Sequence, residues 1–389
     1  MDVQTRAAVS RGPGTGWEVT TVELAAPRAG EAVVKMVTAG VCHSDDHYDT
    51  GDSVLPEKVV QQLKAAGQAV PEMFPLIGGH EGAGVVVEVG PGVSDLAVGD
   101  HVAVSFIPAC GRCRWCATGQ SYICDRGAEL FSIGMVTDGQ PRRFLDGEPV
   151  RAMMQVGTFS EHIVAATDSL IRIEPELPFS AGSLVSCGVT TGWGAAVNRA
   201  GTRPGETVVV IGVGGVGINA VQGAKMAGAR HVVAVDPLEF KRESALRFGA
   251  THAVASSAEA IRLVQGLTRG AMAERVIVTP GVLHAEIMTG ALALTGKGGT
   301  CVPVAITPLT ETSVPFSLAE LVGYCKEIKG CLYGNLNPRE AMPRLLQLYA
   351  DGELMLDELV TTTYRLEDIG QAFADLRAGT NIRGVIAFD

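Results

Sequence analysis

Basic residues are in the minority. With 31 Lys and Arg against 42 Asp and Glu, the chain carries a formal charge of −11 at pH 7. That balance excludes nucleic acid and anionic membrane as main partners, because both require a basic face. Long apolar runs are missing as well. The nearest candidate, residues 207–224, is free of charge over about the length of a membrane span. It holds five glycines besides Asn219 and Gln222 and opens on a valine-rich run, so a buried strand, turn and helix is the better reading. The amino-terminal MDVQTRAAVSRGPGTGW has no apolar core, and no secretory signal is expected. Internal repeats and low-complexity tracts are lacking too.

What the chain has is length and cysteine. At 389 residues, 47% hydrophobic, it exceeds what one core usually serves, so two domains are expected. Cys110, Cys113, Cys116 and Cys124 are clustered, whereas Cys42, Cys187, Cys301, Cys325 and Cys331 are dispersed and the last three read as incidental thiols. The expected compartment is the cytoplasm, where thiols stay reduced and clusters of them usually mean metal. Residues 31–38 (EAVVKMVT) and 82–89 (GAGVVVEV) read as strands bounded by glycine. From about residue 205 strands and helices alternate: TVVVIG, a helix over 218–227, HVVAVD, a helix over PLEFKRESALRFG opened by its proline, the helix SAEAIRLVQGL, RVIVTP, the helix HAEIMTGALAL, and GTCVPVAI. That alternation predicts an α/β fold, a doubly wound parallel sheet with helices on both faces. Residues 55–73, polar and helix-prone, read as a surface insertion.

Two motifs speak to chemistry. CGRCRWCATGQSYIC spaces Cys110, Cys113, Cys116 and Cys124 as C-x2-C-x2-C-x7-C. This suits tetrahedral zinc with no position left for a substrate; an iron–sulfur cluster or two disulfides are the alternatives. Gly212-Val213-Gly214-Gly215-Val216-Gly217 lies between a strand and a helix, and Asp236 ends the next strand 19 residues after Gly217. Such glycines admit a pyrophosphate to the backbone, the helix N-terminus favours its charge, and the acid can bond a ribose 2′-hydroxyl. Asp236 favours NAD over NADP, while Lys241 is a nearby cation that could tolerate a 2′-phosphate. The bland counterpart is a glycine-rich turn with no ligand.

Residues 41–51, VCHSDDHYDTG, crowd six possible metal ligands together: Cys42, His43, Asp45, Asp46, His47 and Asp49. A catalytic zinc needs three protein ligands and one open position, often from distant parts of a chain. His80 and Glu81 in GGHEGAG and Cys187 in SCGVTTGWG are further candidates. Singly, each has a bland alternative as a satisfied loop histidine or a small buried thiol. Taken together, CHSDDH, GGHEGAG, the four-cysteine loop, FSEH, SCGVTTGWG, GVGGVG with its aspartate, and NIRGVI agree in order and spacing with the zinc-dependent medium-chain alcohol dehydrogenases. The chain resembles them from about residue 5 to 388, with the 55–73 insertion as the main break.

The resemblance implies a mainly β, GroES-like catalytic zinc domain from residues 1–188 and 333–389, around a Rossmann NAD-binding domain at 189–332. It implies Cys42, His80 and Cys187 as ligands of a catalytic zinc, the Cys2His set of alcohol dehydrogenases, and the four clustered cysteines as ligands of a structural zinc. Asp45 would accept a hydrogen bond from the far nitrogen of His80, and Glu81 would sit behind the metal. Ser44 and His47 would carry the alcohol proton, by way of the cofactor ribose, to solvent. His43 and Arg383 would meet the pyrophosphate, Val216 would pack behind the nicotinamide with Thr191 near it, Lys241 would lie by the adenosine ribose, and Phe106 would line the substrate channel. Asp46 and Asp49 are expected as solvated loop charges. On this reading an alcohol gives a hydride to NAD and leaves as aldehyde or ketone.

GPGTGWEV, SFIPACGRCRWC, VDPLEFKRE, FGATHA and the NPRE after Gly334 are similar to one subgroup, the actinobacterial nicotinoprotein alcohol dehydrogenases. These are N,N-dimethyl-4-nitrosoaniline-dependent and mycofactocin-associated; their NAD stays bound and is reoxidised by an external redox carrier. Asn335 stands where a second glycine is expected. A homo-oligomer paired through an edge strand near 300–306 is also expected. The alternatives are a conventional NAD-exchanging alcohol dehydrogenase, a thiol-adduct formaldehyde dehydrogenase, and a non-catalytic zinc- or nucleotide-binding protein on this scaffold. The last is disfavoured because every ligand and relay residue is present.

Overall fold

The computed structural model describes residues 3–68, 70, 72–130 and 132–389. Contacts divide the chain into two units, one of residues 188–336 and one of residues 1–187 together with 337–389.

In the continuous unit six parallel strands lie in the order His252–Val254, His231–Val235, Thr207–Ile211, Ala273–Val278, Thr295–Pro303, Glu327–Ile328. Strand order reverses beside Thr207–Ile211, which makes the carboxyl end of that strand the switch point where such sheets bind ligands. Val208, Val209 and Val210 are all fully buried, as a strand covered on both faces requires, and so the sequence shows unbroken valine instead of alternation. Each buried valine contributes roughly 1.5 kcal/mol or more before entropy is counted. Two expectations are corrected. Pro237 does not open the next helix, which runs Glu239–Arg247, because the Asp236 carboxylate first takes the Leu238 amide at 3.0 Å in a turn. The strand around residue 300 is not the sheet edge either, since Glu327–Ile328 pairs outside it through Thr300 and Cys301.

The discontinuous unit is mainly β, with one six-stranded and one seven-stranded sheet. Its axis is the long strand Glu31–Val41, which pairs antiparallel with Gly82–Val89, with His162–Ala166 and with the late strand Arg383–Ala387. Gly82 faces Ala39 and Gly384 faces Val41. That register gathers residues near 40, 80 and 383 at one end of the axis, although 302 positions separate Glu81 from Arg383. Trp17 stacks on Phe373 at 5.7 Å with Phe159 edge-on to both, which fixes the helix Ile369–Ala378 to the sheet. The insertion carries the helix Glu57–Ala65, none of whose residues is buried. Its flanks Val54, Met73 and Phe74 pack on Tyr48, Leu76 and Met153; residues 69 and 71 of the insertion lie outside the described residues. Among the described residues no helix is long and apolar enough to cross a membrane.

Candidate active site

Cys42 ends the axial strand's approach and directly precedes the helix His43–Thr50. Asp46 and Asp49 on this helix are not the solvated charges expected of them: they are 4% and 7% exposed. Arg377, from the helix Ile369–Ala378, reaches both, with Nε 2.8 Å from Asp46 and Nη2 on Asp49. Asp49 also takes the Gly16 amide at 2.8 Å. Side chains three apart share one helix face, so a single guanidinium can clamp both and dock the helix.

Beside that helix Cys42, His80, Glu81 and Cys187 are all buried, and one donor atom from each lies within 4.8 Å of the others. His80 is held by Asp45: Nδ1 stands 2.9 Å from one carboxylate oxygen, and the other oxygen takes the Gly79 amide at 2.7 Å. Because the carboxylate can only accept, the imidazole proton sits on Nδ1 and the lone pair on Nε2. Nε2 is buried, points into the cluster and has no hydrogen-bond partner, and Glu81 Oε1 is in the same position. Orphaned buried acceptors of this kind call for an occupant. Two thiols and an imidazole lone pair are the donor set of a three-ligand zinc site. The thiols are already poised: a hydrogen bond from Cys187 draws the Cys42 thiol well below its ordinary range, and the same bond pushes Cys187 well above it. A divalent cation would displace the proton they share.

The carboxylate behind the cluster is balanced from the far end of the chain. Burial lifts Glu81 to about 8, opposed by the Arg383 guanidinium, which is 4% exposed and donates from Nη2 to Glu81. Gly40 makes room for the pair, since a Cβ there would fall inside the Glu81 carboxylate and within 2.9 Å of Arg383. Ser44 Oγ lies 3.7 Å from Cys42 Sγ, and the Phe106 ring stands edge-on to His80 at 5.6 Å. His47 is buried at 2% exposure, with Nδ1 3.2 Å from Asp52. His43 is half-buried one turn earlier, its ring 6.4 Å from that of His47.

The four-cysteine loop forms a second cluster, all four sulfurs lying within 4.8 Å of one another. Cys110 and Cys116, and likewise Cys113 and Cys124, stand 3.9 Å apart. Tetrahedral sulfurs about 2.3 Å from zinc lie about 3.8 Å apart. Disulfides need about 2.05 Å, and an iron–sulfur core would have to wedge the thiolates wider. Amides of Cys113 and Cys116 point at Cys110 and Cys113 sulfurs at 3.4 and 3.5 Å, the contact that a thiolate favours.

In the other unit, the loop from Gly212 to the helix Gly217–Met226 follows the central strand. A Cβ on Gly217 would fall on the Gly212 carbonyl oxygen, and Gly212 itself has φ 82°. Gly214, Gly215 and Val216 are half-exposed amid buried neighbours, so their backbone can meet a ligand. Asp236 takes the Val213 amide at 3.0 Å, which ties the acid to the loop. Lys241 Nζ lies over Gly214, 3.6 Å from where a Cβ would be, and burial lowers its pKa against the pull of Asp236. Thr191 is 8% exposed on the helix Gly188–Gly194.

Sequence reasoning missed Asp52 and Arg377. Asp52 lies only five residues beyond His47, so a carboxylate just past a candidate proton carrier was the available signal. Arg377 had none, being more than 300 residues from its partners.

Residues 28–175 match the family model described as alcohol dehydrogenase GroES-like domain, and residues 215–351 the one described as zinc-binding dehydrogenase. The chain is 45% identical over 384 residues to an NDMA-dependent alcohol dehydrogenase of Amycolatopsis methanolica, covering 99% of both. It is 45% identical over 372 residues to alcohol dehydrogenase B of Mycobacterium tuberculosis, covering 96% of this chain and 95% of that one. Among solved structures, an alcohol dehydrogenase zinc-binding domain protein from Burkholderia ambifaria superposes with a TM-score of 0.88 at 30% identity over the full length of both.

Proposed function

Because this chain belongs to the zinc-dependent medium-chain alcohol dehydrogenases, we propose that it oxidises a small alcohol to an aldehyde or ketone, with a zinc held by Cys42, His80 and Cys187 and with NAD as hydride acceptor. The observation that carries this reading is the His80 ring, turned by Asp45 so that an unpartnered Nε2 faces two cysteine sulfurs. When bound, zinc supplies a Lewis acid that can lower the pKa of an oxygen ligand, from 15.7 to about 7 for water, and NAD supplies the two-electron acceptor.

The chain's own residues do the rest. The Ser44 hydroxyl gives up its own proton as it takes the one the alcohol loses, and His47 carries the relayed proton outward. Phe106 walls the approach to His80 and keeps water off it. Glu81 and Arg383 form a buried pair behind the ligands, and the half-buried His43 is the side chain offered to the pyrophosphate. Residues 188–336 hold NAD: Gly212, Gly214, Gly215, Val216 and Gly217 admit the phosphates, Thr191 flanks the nicotinamide and Lys241 the ribose. Asp236 opposes a 2′-phosphate by like charge, which is the reason for NAD over NADP. A second, structural zinc is held by Cys110, Cys113, Cys116 and Cys124. Cysteines clustered to hold metal suit a cytoplasmic setting, where thiols stay reduced.

The likeness to the NDMA-dependent relative supports a finer reading, that NAD stays bound and an external redox carrier such as mycofactocin reoxidises it. Purified protein mixed with a primary alcohol and no added cofactor should then show reduced-nicotinamide absorbance rising to about one equivalent per subunit and stopping. No rise until NAD is added, followed by steady turnover, would replace the captive cofactor with an exchanging one. Turnover with NADP alone would sink the role given to Asp236.

The same reading includes a homo-oligomer. The edge strand Glu327–Ile328 lies next in sequence to Leu318, Val322 and Leu332, which are 68%, 75% and 45% exposed. An open edge with large apolar side chains nearby invites pairing. Sedimentation should give at least a dimer that Val322→Glu weakens; a monomer at micromolar concentration would overturn this.

A further inference from the structure

The relay ends at His47, whose side chain is only 3% exposed, so a proton arriving there needs a route onward. Asp52 stands directly behind it, with Oδ2 3.2 Å from His47 Nδ1. The placement of Asp52 is fixed by several contacts. Gly51 ends the helix His43–Thr50 with φ 87° and turns the chain back. The Ser53 amide then donates to the His47 carbonyl at 3.0 Å, and the Thr50 hydroxyl donates to Asp52 Oδ2 at 2.7 Å. Val54 packs against Tyr48 of the same helix. The carboxylate is thus pinned against the ring on one side, while its side chain remains 26% exposed on the other.

We propose that Asp52 is a positioning residue of the proton relay. The carboxylate accepts a hydrogen bond from Nδ1–H of His47 and so fixes the tautomer in which Nε2 carries the lone pair. Nε2 accepts the incoming proton. The ring then holds one proton on each nitrogen beside a carboxylate that offsets its charge; one proton leaves to water, and the carboxylate draws the one that remains back onto Nδ1, which resets the ring. The same helix therefore takes part in two carboxylate–imidazole pairs with different purposes. Asp45 aims His80 at the metal cluster, and Asp52 aims His47 at the proton. The inference rests on the alcohol-oxidation reading above.

The test uses holoenzyme carrying 15N-labelled histidine, in the parent, Asp52→Asn, Asp52→Glu and His47→Gln. His47→Gln identifies the His47 ring signals by their loss. The parent should show the Nδ1–H pattern, and Asp52→Asn should move it toward the Nε2–H form. With it, kcat should fall about 10-fold, the lower end of what removing such a carboxylate costs at metal-bound histidines, while KM for the alcohol stays within about twofold; Asp52→Glu should restore most of kcat. An unchanged ring pattern and kcat in Asp52→Asn would overturn the proposal. So would a joint fall of kcat, affinity and thermal midpoint with the ring pattern kept, which is what a loosened insertion would produce. A parent that turns over no alcohol while its ring pattern still answers to Asp52 would count against the alcohol reading and leave the pairing standing.

Discussion

Replacing Cys187 by alanine is expected to leave a chain that binds one metal ion instead of two and turns alcohol over on the order of 10³-fold more slowly, or not at all. Two donors would remain, Cys42 and His80. The nearest substitute is Glu81, whose Oε1 lies 3.9 Å from His80 Nε2. Its other oxygen is held by Arg383, and pulling the carboxylate off that buried partner to reach the metal position would cost about 3–5 kcal/mol. The lost sulfur itself opens little space, so the fold should be weakened by only about 1 kcal/mol. Metal content by mass spectrometry and initial rates on one preparation decide the matter. Two metals with near-parental turnover would falsify the ligand assignment.

Cys124→Ser should also bring the metal count to one, with the opposite consequence. Structural zinc supplies about 10–16 kcal/mol of apparent binding energy in small zinc-finger peptides, and here it would act on a loop with few other anchors. Among them are the Arg126–Asp168 pair at 2.7 Å, the Ala109 amide on the Asp168 carbonyl at 2.9 Å, Arg339 Nε on the Ala109 carbonyl at 3.0 Å and Gln155 Nε2 on the Glu129 carbonyl at 2.9 Å. Without the metal, the four-cysteine loop should open to protease between residues 110 and 130, while freshly prepared enzyme keeps most of its turnover. Limited proteolysis beside initial rates separates the two roles. A loop that stays resistant in a chain that has lost turnover would assign chemistry to this cluster and overturn its reading as a staple.

The parts legible in the sequence were those whose constraints are local. Gly217 must be glycine because its own loop's carbonyl occupies the space of a side chain, and a four-cysteine turn brings its sulfurs together within 15 residues. The proposed metal donors at 42, 80 and 187 were named by resemblance, since nothing in their spacing predicts that the fold brings them together. Asp46 and Asp49 were misread because Arg377 answers them from 331 and 328 residues away, beyond any window a local pattern can use. A two-residue edge strand, Glu327–Ile328, is too short to carry a period, so the sheet's boundary was drawn one strand early. Asn335, expected to be glycine, has φ 54°; asparagine visits that left-handed region more readily than most residues, which explains the exchange.

The register that sets Gly384 against Val41 also imposes a schedule. At roughly 5–20 residues per second, Arg383 leaves the ribosome about 15–60 s after Glu81, from which it is separated by 302 positions. In that interval the whole of 188–336 is synthesised as a continuous segment. Glu81, Cys42 and His80 meanwhile wait on a sheet whose last strand does not yet exist, and the carboxylate cannot be buried without its countercharge. The proposed metal donors Cys42, His80 and Cys187 are all made before Arg383, so the charge behind them is answered only when the last strand pairs with the axial one.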